Sequence, residues 1–281
     1  MNEIRFDNKV AVITGAGNGL GKSHALFLAS RGAKVVVNDL GGTVAGTGGS
    51  QAVAYAVVKE IKAASGEAVA NYDSVATEEG GKNIIQAALD AFGTVDILIN
   101  NAGNVRDKSF AKMDLDDFRS LIDVHLMGAV YCTHAAWPIM KEKGFGRIVM
   151  TTSSAGLYGN HGHTNYGTAK MALVGLMNSL KEEGQRHNIT VNAIAPMALT
   201  RMSEQAVVPK FAPLMKPEFV KDSNAMAGFF REARHQASFN HTHIVQVYNY
   251  GQFEGYKYLV MEVADRGDLE GLIQKHSRVD E

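Results

Sequence analysis

Short apolar runs and longer amphipathic stretches alternate along most of the chain, with glycine-rich turns between them. Lys9–Thr14 and Lys34–Asn38 have continuously apolar centres, which is typical of strands buried on both faces of a parallel sheet. Between them lies the glycine-rich run Gly15–Gly21, followed by an amphipathic stretch through Leu26–Leu28. This order of strand, turn, helix and strand predicts an α/β fold with a doubly wound parallel sheet.

The glycine-rich turn has the composition of a phosphate-binding loop. Gly15, Gly19 and Gly21 let the backbone approach a pyrophosphate closely, and the N-terminus of the following helix offers unpaired N–H groups. Asp39 directly follows the second strand, where a carboxylate is placed to accept hydrogen bonds from the hydroxyls of an adenosine ribose. Because a negative charge there repels a 2′-phosphate, the pattern favours NAD over NADP.

Tyr166 and Lys170 form a candidate proton-transfer pair, preceded in the chain by Ser153. On a helix, the four-residue spacing places both side chains on one face, about 5–6 Å apart at their Cβ atoms. We expect the cation to lower the pKa of the phenol from ~10 to about 7. Such a phenol exchanges a proton with an alcohol or carbonyl oxygen that a seryl hydroxyl holds in place. The same string also occurs as a surface pair, so it does not define a site alone.

Three ordered motifs resemble the short-chain dehydrogenase/reductase family. They are Thr14-Gly15-x-x-x-Gly19-x-Gly21, Asn100-Asn101-Ala102-Gly103, and the set Ser153, Tyr166 and Lys170. Within the family, strings such as Val37–Gly42, Ala70–Val75 and Arg106–Phe110 resemble the (3R)-hydroxyacyl-CoA dehydrogenase part of peroxisomal multifunctional enzyme type 2. The likeness covers about residues 5–220 and implies a Rossmann-like fold and an NAD-dependent short-chain dehydrogenase/reductase.

This resemblance also implies roles for particular residues. The implied catalytic residues are Ser153, Tyr166, Lys170 and His125. The implied cofactor-binding residues are Thr14, Gly15, Asn18, Gly19, Leu20, Gly21, Asp39, Asp73, Val75, Asn101, Ala102, Gly103, Tyr166, Lys170, Pro196 and Thr200. In this family the residues at Asp73 and Val75 bracket the adenine. The implied cofactor is NAD, and no metal is expected.

The chain departs from the family pattern at two positions. His125 lies where many members have an asparagine that holds a proton-relay water. The similar subgroup also has histidine there, so we expect His125 to be compatible with a relay; an interior histidine with only structural contacts is the alternative. Met197 follows Pro196 where glycine is customary beside the nicotinamide, while Thr200 remains available to contact the carboxamide.

Residues from about 221 to 281 resemble a different family, the serine/threonine protein kinases. Phe229–Arg234, Asn240–Tyr248 and Tyr258–Glu262 are similar to the N-lobe from helix C to the strand before the hinge. The glycine-rich loop, the strand lysine and the catalytic loops of a kinase are missing, so kinase activity is not expected. We interpret the chain as a chimera of a dehydrogenase domain, residues 1–220, and a kinase-like fragment, residues 221–281. A natural fusion, a recombined gene and an engineered chimera are all compatible with the sequence.

Two interpretations of the kinase-like fragment are open. In the first, a helix over residues 217–238, with Pro217 in its first turn, leads to a strand at Ile244–Tyr248. A right-handed crossover would lay that strand parallel to the strand predicted at Thr190–Ala195, and Tyr258–Val263 would return as an antiparallel edge strand. The fragment would then complete the sheet. In the second, it is a separately collapsed or poorly ordered tail.

Composition narrows the classes of partner. The chain has 281 residues and a net charge of −1, so it has no electrostatic case for binding nucleic acid or an anionic membrane. Its single cysteine, Cys132, lies in an apolar helix and is expected in the core. The sequence has no signal peptide, membrane span or peroxisomal Ser-Lys-Leu ending, so a cytoplasmic location is expected. His241 and His243 lack a third ligand at useful spacing, which argues against a metal site.

Two hypotheses of function follow. The first is an NAD-dependent oxidoreductase that interconverts a secondary alcohol and a ketone, with a 3-hydroxyacyl thioester or hydroxysteroid as substrate and a homodimer or homotetramer as assembly. His161 and His163 are candidates for substrate contact, and a lid-like stretch carries apolar side chains at Met202, Phe211, Leu214 and Met215. The second hypothesis is a catalytically silent chimera that only binds a dinucleotide or serves as a scaffold.

Overall fold

The computed structural model describes residues 4–196 in full, together with the backbone of residues 247–253 and 256–261. The described strands are β1 (Val10–Thr14), β2 (Lys34–Asn38), β3 (Ala68–Asn71), β4 (Ile97–Asn100), β5 (Gly146–Thr151), β6 (Ile189–Ile194), β7 (Val247–Phe253) and β8 (Tyr256–Met261). The described α-helices are α1 (Gly19–Ser30), α2 (Gln51–Ala63), α3 (Glu78–Phe92), α4 (Leu115–Leu121), α5 (Gly128–Lys143), α6 (Ser154–Tyr158) and α7 (Thr164–Gly184). Short 3₁₀ helices lie at Phe110–Lys112 and Gln185–His187.

The first six strands form one parallel sheet in the order β3-β2-β1-β4-β5-β6. The prediction of a doubly wound parallel α/β sheet is therefore confirmed, and the two strands predicted first match β1 and β2 closely. The order of the strands reverses between β1 and β4, because the chain moves outward first through β2 and β3 and then through β5 and β6. Ligands of such sheets bind in the crevice beyond the carboxyl ends of the strands at this reversal.

Each face of the sheet is covered by a separate apolar cluster. Successive side chains of β1 alternate between them: Val10 and Val12 pack in one cluster, and Ala11 and Ile13 pack in the other. Helices α3, α5 and α7 contribute to the first cluster, and α1 and α2 contribute to the second. Each fully buried aliphatic side chain contributes about 1.5–3 kcal/mol. The strands are held on both faces, and their carboxyl ends are thereby fixed.

Cys132 lies in this core, as its apolar surroundings in the sequence predicted. Its side chain on α5 is fully buried. Burial disfavours the thiolate and raises the pKa of the Cys132 thiol to about 12. The residue behaves as a small apolar side chain and not as a nucleophile.

Strands β7 and β8 are antiparallel and form a two-stranded sheet. Their register runs from Val247 opposite Met261 to Phe253 opposite Tyr256. The antiparallel return agrees with the prediction, but β7 extends five residues beyond the predicted strand Ile244–Tyr248, and β8 begins two residues before the predicted Tyr258–Val263. The helix predicted over residues 217–238 lies outside the described residues, as do Met197, Thr200, the lid-like stretch, His241 and His243. Completion of the large sheet by this fragment stays a prediction. None of the described helices is long and apolar enough to span a membrane.

Candidate active site

The glycine turn between β1 and α1 is shaped by contacts that only glycine permits. Gly15 and Gly19 have φ angles of 63° and 53°, in the left-handed region. A Cβ atom on Gly15 would lie 2.7 Å from the Cα of Ala102, and one on Gly21 would lie 2.2 Å from the carbonyl oxygen of Gly15. Asn18 precedes α1, and its side chain forms no capping hydrogen bond with the first N–H groups of the helix. Leu20 lies in this first turn.

Asp39 lies beside the glycine turn, at the carboxyl end of β2. Its Oδ2 accepts a hydrogen bond of 2.8 Å from the backbone N–H of Gly17, and its Oδ1 accepts one of 2.7 Å from Gly41. These two donors fix the carboxylate next to the helix N-terminus. The position agrees with the predicted ribose contact, which itself stays a prediction.

The motif that follows β4 is joined directly to the glycine turn. The Oγ1 of Thr14 accepts hydrogen bonds from the backbone N–H groups of Asn101 (3.0 Å) and Ala102 (3.1 Å). The side-chain amide of Asn101 donates to the carbonyl oxygens of Thr14 and Gly15, at 2.9 and 3.1 Å. Both predicted cofactor segments therefore meet at the reversal of strand order.

Asp73 and Val75 follow β3, which pairs with β2, the strand that Asp39 follows. The carboxylate of Asp73 accepts hydrogen bonds from the side-chain amides of Asn71 (2.7 Å) and Asn83 (3.2 Å). Asn71 in turn accepts a 2.8 Å hydrogen bond from buried Asn38. These amides hold Asp73 at the same edge of the sheet as the glycine turn. Asn38, Asn71 and Asn83 were not singled out in the sequence, because isolated asparagines carry no signal by spacing.

Ser153, Tyr166 and Lys170 are brought together as predicted. Ser153 caps the N-terminus of α6. Its hydroxyl lies near enough to the phenol of Tyr166 on α7 to lower the pKa of that phenol. The Nζ of Lys170 lies 5.5 Å from the centroid of the Tyr166 ring. The imidazole of His125 meets the same ring edge-on, with 5.3 Å between ring centroids. The four predicted catalytic side chains therefore form one cluster around a phenol.

The predicted direction of the Tyr166 pKa shift is wrong for this structure. Burial raises the pKa of the Tyr166 phenol, and this effect exceeds the lowering by the Ser153 hydroxyl. The negative charge of Asp107 raises the same pKa further. The expectation considered the charge of Lys170 but not the loss of water around the phenol, which disfavours the tyrosinate.

Lys170 is itself buried, with 3% of its surface exposed. Its Nζ donates a 2.6 Å hydrogen bond to the carbonyl oxygen of Thr151. Burial lowers the pKa of the Lys170 ammonium to about 7. Near neutral pH this amine is therefore close to the balance between its charged and neutral forms, so the charge assumed in the prediction is only partly present.

His125 lies in a π-helical segment, Ile122–Met127, between α4 and α5. Its Nε2 lies 2.8 Å from the carbonyl oxygen and 3.2 Å from the backbone nitrogen of Asn104. The contact with the carbonyl oxygen requires a proton on Nε2, and the contact with the backbone N–H requires a lone pair there, so each tautomer of the imidazole satisfies one of the two. Burial, and secondarily the charge of Lys170, hold the pKa of His125 well below its ordinary value. The imidazole is neutral.

The π-helical segment and the close approach of Gly103 were not predicted. A Cβ atom on Gly103 would lie 2.4 Å from the Cε1 of His125, so glycine is needed for the imidazole to fit. Such π-helical segments are frequent at functional sites. A π-helical segment has about one more residue per turn than an α-helix. The spacing of apolar residues around His125 does not show this extra residue.

A cavity with room for about one water molecule connects these groups. Its lining includes Thr14, Asn100, His125 and Lys170. The Nδ1 of His125 and the Oδ1 of Asn100 are buried without a hydrogen-bond partner in the described part of the chain. A polar cavity with unpaired polar atoms next to an amine donor has the composition of a water site.

Of the two candidate loop histidines, His163 reaches the cluster. Its ring lies 6.0 Å from that of Tyr166, centroid to centroid. Its Nδ1 lies 3.0 Å from the carbonyl oxygen of His161, and its Nε2 lies 3.4 Å from the carboxylate of Asp107. Pro196, also predicted at the cofactor, follows β6 and is partly buried.

The sequence of the chain shows which family this site belongs to. The family model for short chain dehydrogenases matches residues 9–208. The chain therefore belongs to the short-chain dehydrogenase/reductase family, as the three motifs predicted.

The chain is similar to several multifunctional enzymes. Peroxisomal multifunctional enzyme A of Dictyostelium discoideum is 55% identical over 217 residues, which make up 77% of this chain and 48% of that protein. Peroxisomal multifunctional enzyme type 2 of Drosophila melanogaster is 50% identical over 218 residues, covering 78% of this chain and 36% of that protein. The predicted likeness to the type 2 enzymes is confirmed. This chain spans less than half the length of either relative.

A solved structure is similar over most of the chain. The structure of 7α-hydroxysteroid dehydrogenase, complexed with NADH and 7-oxo glycochenodeoxycholic acid, has a TM-score of 0.71 and 30% identity. The match covers 84% of this chain and 91% of that protein.

Proposed function

We propose that this protein is an NAD-dependent oxidoreductase that interconverts a secondary alcohol and a ketone. The observation that carries the proposal is the meeting of Lys170 and His125 at the ring of Tyr166, with the Nζ of Lys170 5.5 Å and the imidazole of His125 5.3 Å from the ring centroid. The hydroxyl of Ser153 lies near enough to the same phenol to lower its pKa. This cluster lies on the elements that follow β4 and β5, and the glycine turn follows β1. Both therefore border the crevice at the reversal of strand order.

The residues around the glycine turn fit a nicotinamide dinucleotide. The absence of Cβ atoms at Gly15 and Gly21, and the uncapped start of α1, suit a pyrophosphate. Asp39 would hold the adenosine ribose, and Asp73 and Val75 would border the base. The bound nicotinamide supplies hydride transfer. Thr200 is proposed at the carboxamide from sequence alone.

Tyr166 is the proposed proton donor and acceptor. The Ser153 hydroxyl would hold the substrate oxygen within reach of the phenol, which has an elevated pKa and so carries its proton at neutral pH. Lys170 and the Nδ1 of His125 border the water-sized cavity and would return the proton toward solvent. This arrangement favours ketone reduction at neutral pH, while alcohol oxidation needs the deprotonated phenol and should accelerate as pH rises.

The proposed substrate is a 3-hydroxyacyl thioester or a hydroxysteroid with its corresponding ketone. The name of the hydroxysteroid dehydrogenase supports the second class. The first class rests on the sequence resemblance to the (3R)-hydroxyacyl-CoA dehydrogenase part of the type 2 enzymes. A cytoplasmic location and a homodimer or homotetramer also stay proposals, and the relatives carry peroxisomal names. Organelle fractionation and sedimentation measure these two properties directly.

A binding and turnover experiment tests the function. NADH and NADPH are titrated by nicotinamide fluorescence, and turnover is then measured on panels of 3-ketoacyl thioesters and ketosteroids. Oxidation of NADH by a member of either panel supports the proposal. Binding without turnover on both panels favours the alternative, a catalytically silent chimera.

Replacing Asp39 with asparagine should reduce the preference for NADH over NADPH by about tenfold, which corresponds to about 1.4 kcal/mol. The substitution removes the charge that would repel a 2′-phosphate at a partly buried position. Asp90→Asn is the matched control, because Asp90 is exposed near the C-terminus of α3. This end of α3 leads into the start of β4, at the amino ends of the strands and away from the crevice. Equal affinities for both dinucleotides in the unmodified protein would show that Asp39 does not face the ribose.

The kinase-like identity of residues 221–281 and their completion of the sheet are proposals from the sequence. A parallel sheet that ended at β6 would present an unpaired edge. Deletion of residues 240–281 should therefore cause insolubility or a large fall in melting temperature, measured by differential scanning fluorimetry. A soluble deletion variant with an unchanged melting temperature and full NADH binding would identify the segment as a passive tail.

A further inference from the structure

The glycine- and threonine-rich loop between β2 and α2 is an ordered element, and we call its residues Thr43–Thr47 the strap. The backbone N–H of Thr43 donates to the carbonyl oxygen of Thr47 at 2.8 Å, and the two threonine hydroxyls lie 2.8 Å apart. The base of the loop is closed by a 3.0 Å hydrogen bond from Ser50 to Leu40. The strap therefore has a fixed shape of its own.

The strap lies against the segment that follows β4. Val105 donates its backbone N–H to the carbonyl oxygen of Val44 at 3.1 Å. The carbonyl oxygen of Ala45 accepts from the guanidinium of Arg106 at 2.9 Å and from the side-chain amide of Asn104 at 3.4 Å. Three hydrogen bonds thus join two loops that are about sixty residues apart in sequence.

Asn104 connects the strap to the catalytic cluster. The residue is 4% exposed, and its backbone carbonyl oxygen and nitrogen lie 2.8 Å and 3.2 Å from the Nε2 of His125. The two backbone contacts of Asn104 fix the orientation of the imidazole and therefore the direction of its unpaired Nδ1. The contacts therefore run from Ala45 through Asn104 and His125 to Tyr166.

Gly46 is the closest point between the strap and Asn104. A Cβ atom on Gly46 would lie 2.2 Å from the Nδ2 of Asn104 and 3.1 Å from its Cγ. Because Asn104 is buried, its amide has little free space into which to retreat. Glycine at position 46 therefore lets the strap hold Asn104 in place.

We propose that the strap positions His125 for proton transfer by fixing Asn104. Asn104 and Gly46 act as positioning residues and do not touch the substrate. The inference rests on the proposed role of His125 in returning the proton of Tyr166. The loop that carries the strap begins beside Asp39, whose carboxylate accepts a hydrogen bond from the backbone N–H of Gly41. One loop therefore serves both the cofactor carboxylate and the catalytic imidazole.

Gly46→Ala and Gly48→Ala form a matched pair of variants in the full chain. Both glycines have left-handed backbones, with φ angles of 77° and 73°, so alanine adds a similar backbone strain at each. A Cβ atom on Gly48 meets no atom within 4 Å, whereas one on Gly46 meets Asn104. The difference between the variants isolates the contact with Asn104.

Gly46→Ala should lower kcat about tenfold more than Gly48→Ala, because a small displacement of a catalytic group slows the reaction strongly. The Kd for NADH should be the same in both variants. In protein labelled with ¹⁵N-histidine, the ring nitrogen signals of His125 should move in Gly46→Ala and stay unchanged in Gly48→Ala. Asn104→Ala removes the amide contact with Ala45 by a second route and should resemble Gly46→Ala.

Equal kcat values and equal His125 signals in the two glycine variants would overturn the role of the strap. His125→Ala separates this failure from failure of the proposed mechanism. An unchanged kcat in His125→Ala would refute the catalytic role of His125, and it would refute the strap proposal as well. A strong loss in His125→Ala, combined with equal glycine variants, overturns the strap proposal alone. The histidine signals test the positioning even where turnover is absent.

Discussion

Tyr166→Phe is expected to lower turnover by about 10²–10⁴-fold, the range that a positioned acid–base group contributes. The substitution deletes one hydroxyl and leaves the ring that contacts His125 and lies near Lys170. NADH binding should therefore change little. Steady-state rates on a responsive 3-ketoacyl thioester or ketosteroid, with fluorescence titration of NADH, measure the two effects separately.

Tyr55→Phe is the matched control for this variant, because Tyr55 is an exposed tyrosine on α2. Its kinetics should equal those of the unmodified protein. In the unmodified protein, the rate of alcohol oxidation should rise with pH to well above neutral, since burial raises the pKa of the Tyr166 phenol. Full turnover in Tyr166→Phe would refute the assignment of the proton donor.

The sheet was predictable because its strands carry their own signal. The apolar centres of Lys9–Thr14 and Lys34–Asn38 are consistent with burial on both faces, and the glycines after the first strand fix where it ends. The apolar pattern of each short segment was therefore enough to identify it as a buried strand. The grouping of Ser153, Tyr166 and Lys170 was likewise predictable, because helical spacing and family resemblance both act on local sequence.

The electrostatic state of the site was not predictable from the same spacing. The pKa of Tyr166 depends on how much water the surrounding elements exclude, and the pKa of Lys170 depends on the same burial. Both are properties of packing between distant segments. A spacing of four residues fixes which groups meet, but it does not fix the dielectric around them.

The support of His125 was also hidden from the sequence. Asn104 and Ala45 are 59 residues apart in the chain, and no periodic pattern links them. In the sequence, the loop that contains the strap is marked only by its high content of glycine and threonine. Its contacts follow from the strand order, which places the loops after β2 and β4 at the same edge of the sheet, on either side of β1.

Lys170→Met is expected to abolish turnover and weaken NADH binding, yet to stabilise the fold at neutral pH. The buried ammonium of Lys170 lies beside a backbone carbonyl, and no ion pair with a carboxylate is found for it in the described part of the chain. Burial lowers the pKa of Lys170 to about 7 from its ordinary value near 10.5. Keeping the charged form buried therefore costs free energy, up to about 5 kcal/mol. Methionine fills a similar volume without that cost.

The lowered pKa of Lys170 also determines how this residue's contribution to the free energy of unfolding depends on pH. Between about pH 7 and 10.5 the unfolded lysine binds its proton while the folded lysine has released it. The unfolded state then binds more protons, so the free energy of unfolding contributed by Lys170 rises with pH across this window and its full cost applies below pH 7. Lys170→Met should remove this rise, as measured by urea unfolding at pH 7, 8, 9 and 10.

Lys181→Met is the control, because Lys181 is exposed on the same helix and the substitution is the same. Its unfolding curve should keep the pH dependence of the unmodified protein. If Lys170→Met instead lowered stability at pH 7 while keeping the rise with pH, the buried amine would be compensated by contacts worth more than its desolvation. A gain in stability together with a loss of turnover would show that the chain maintains a costly buried amine at this position for the sake of the reaction.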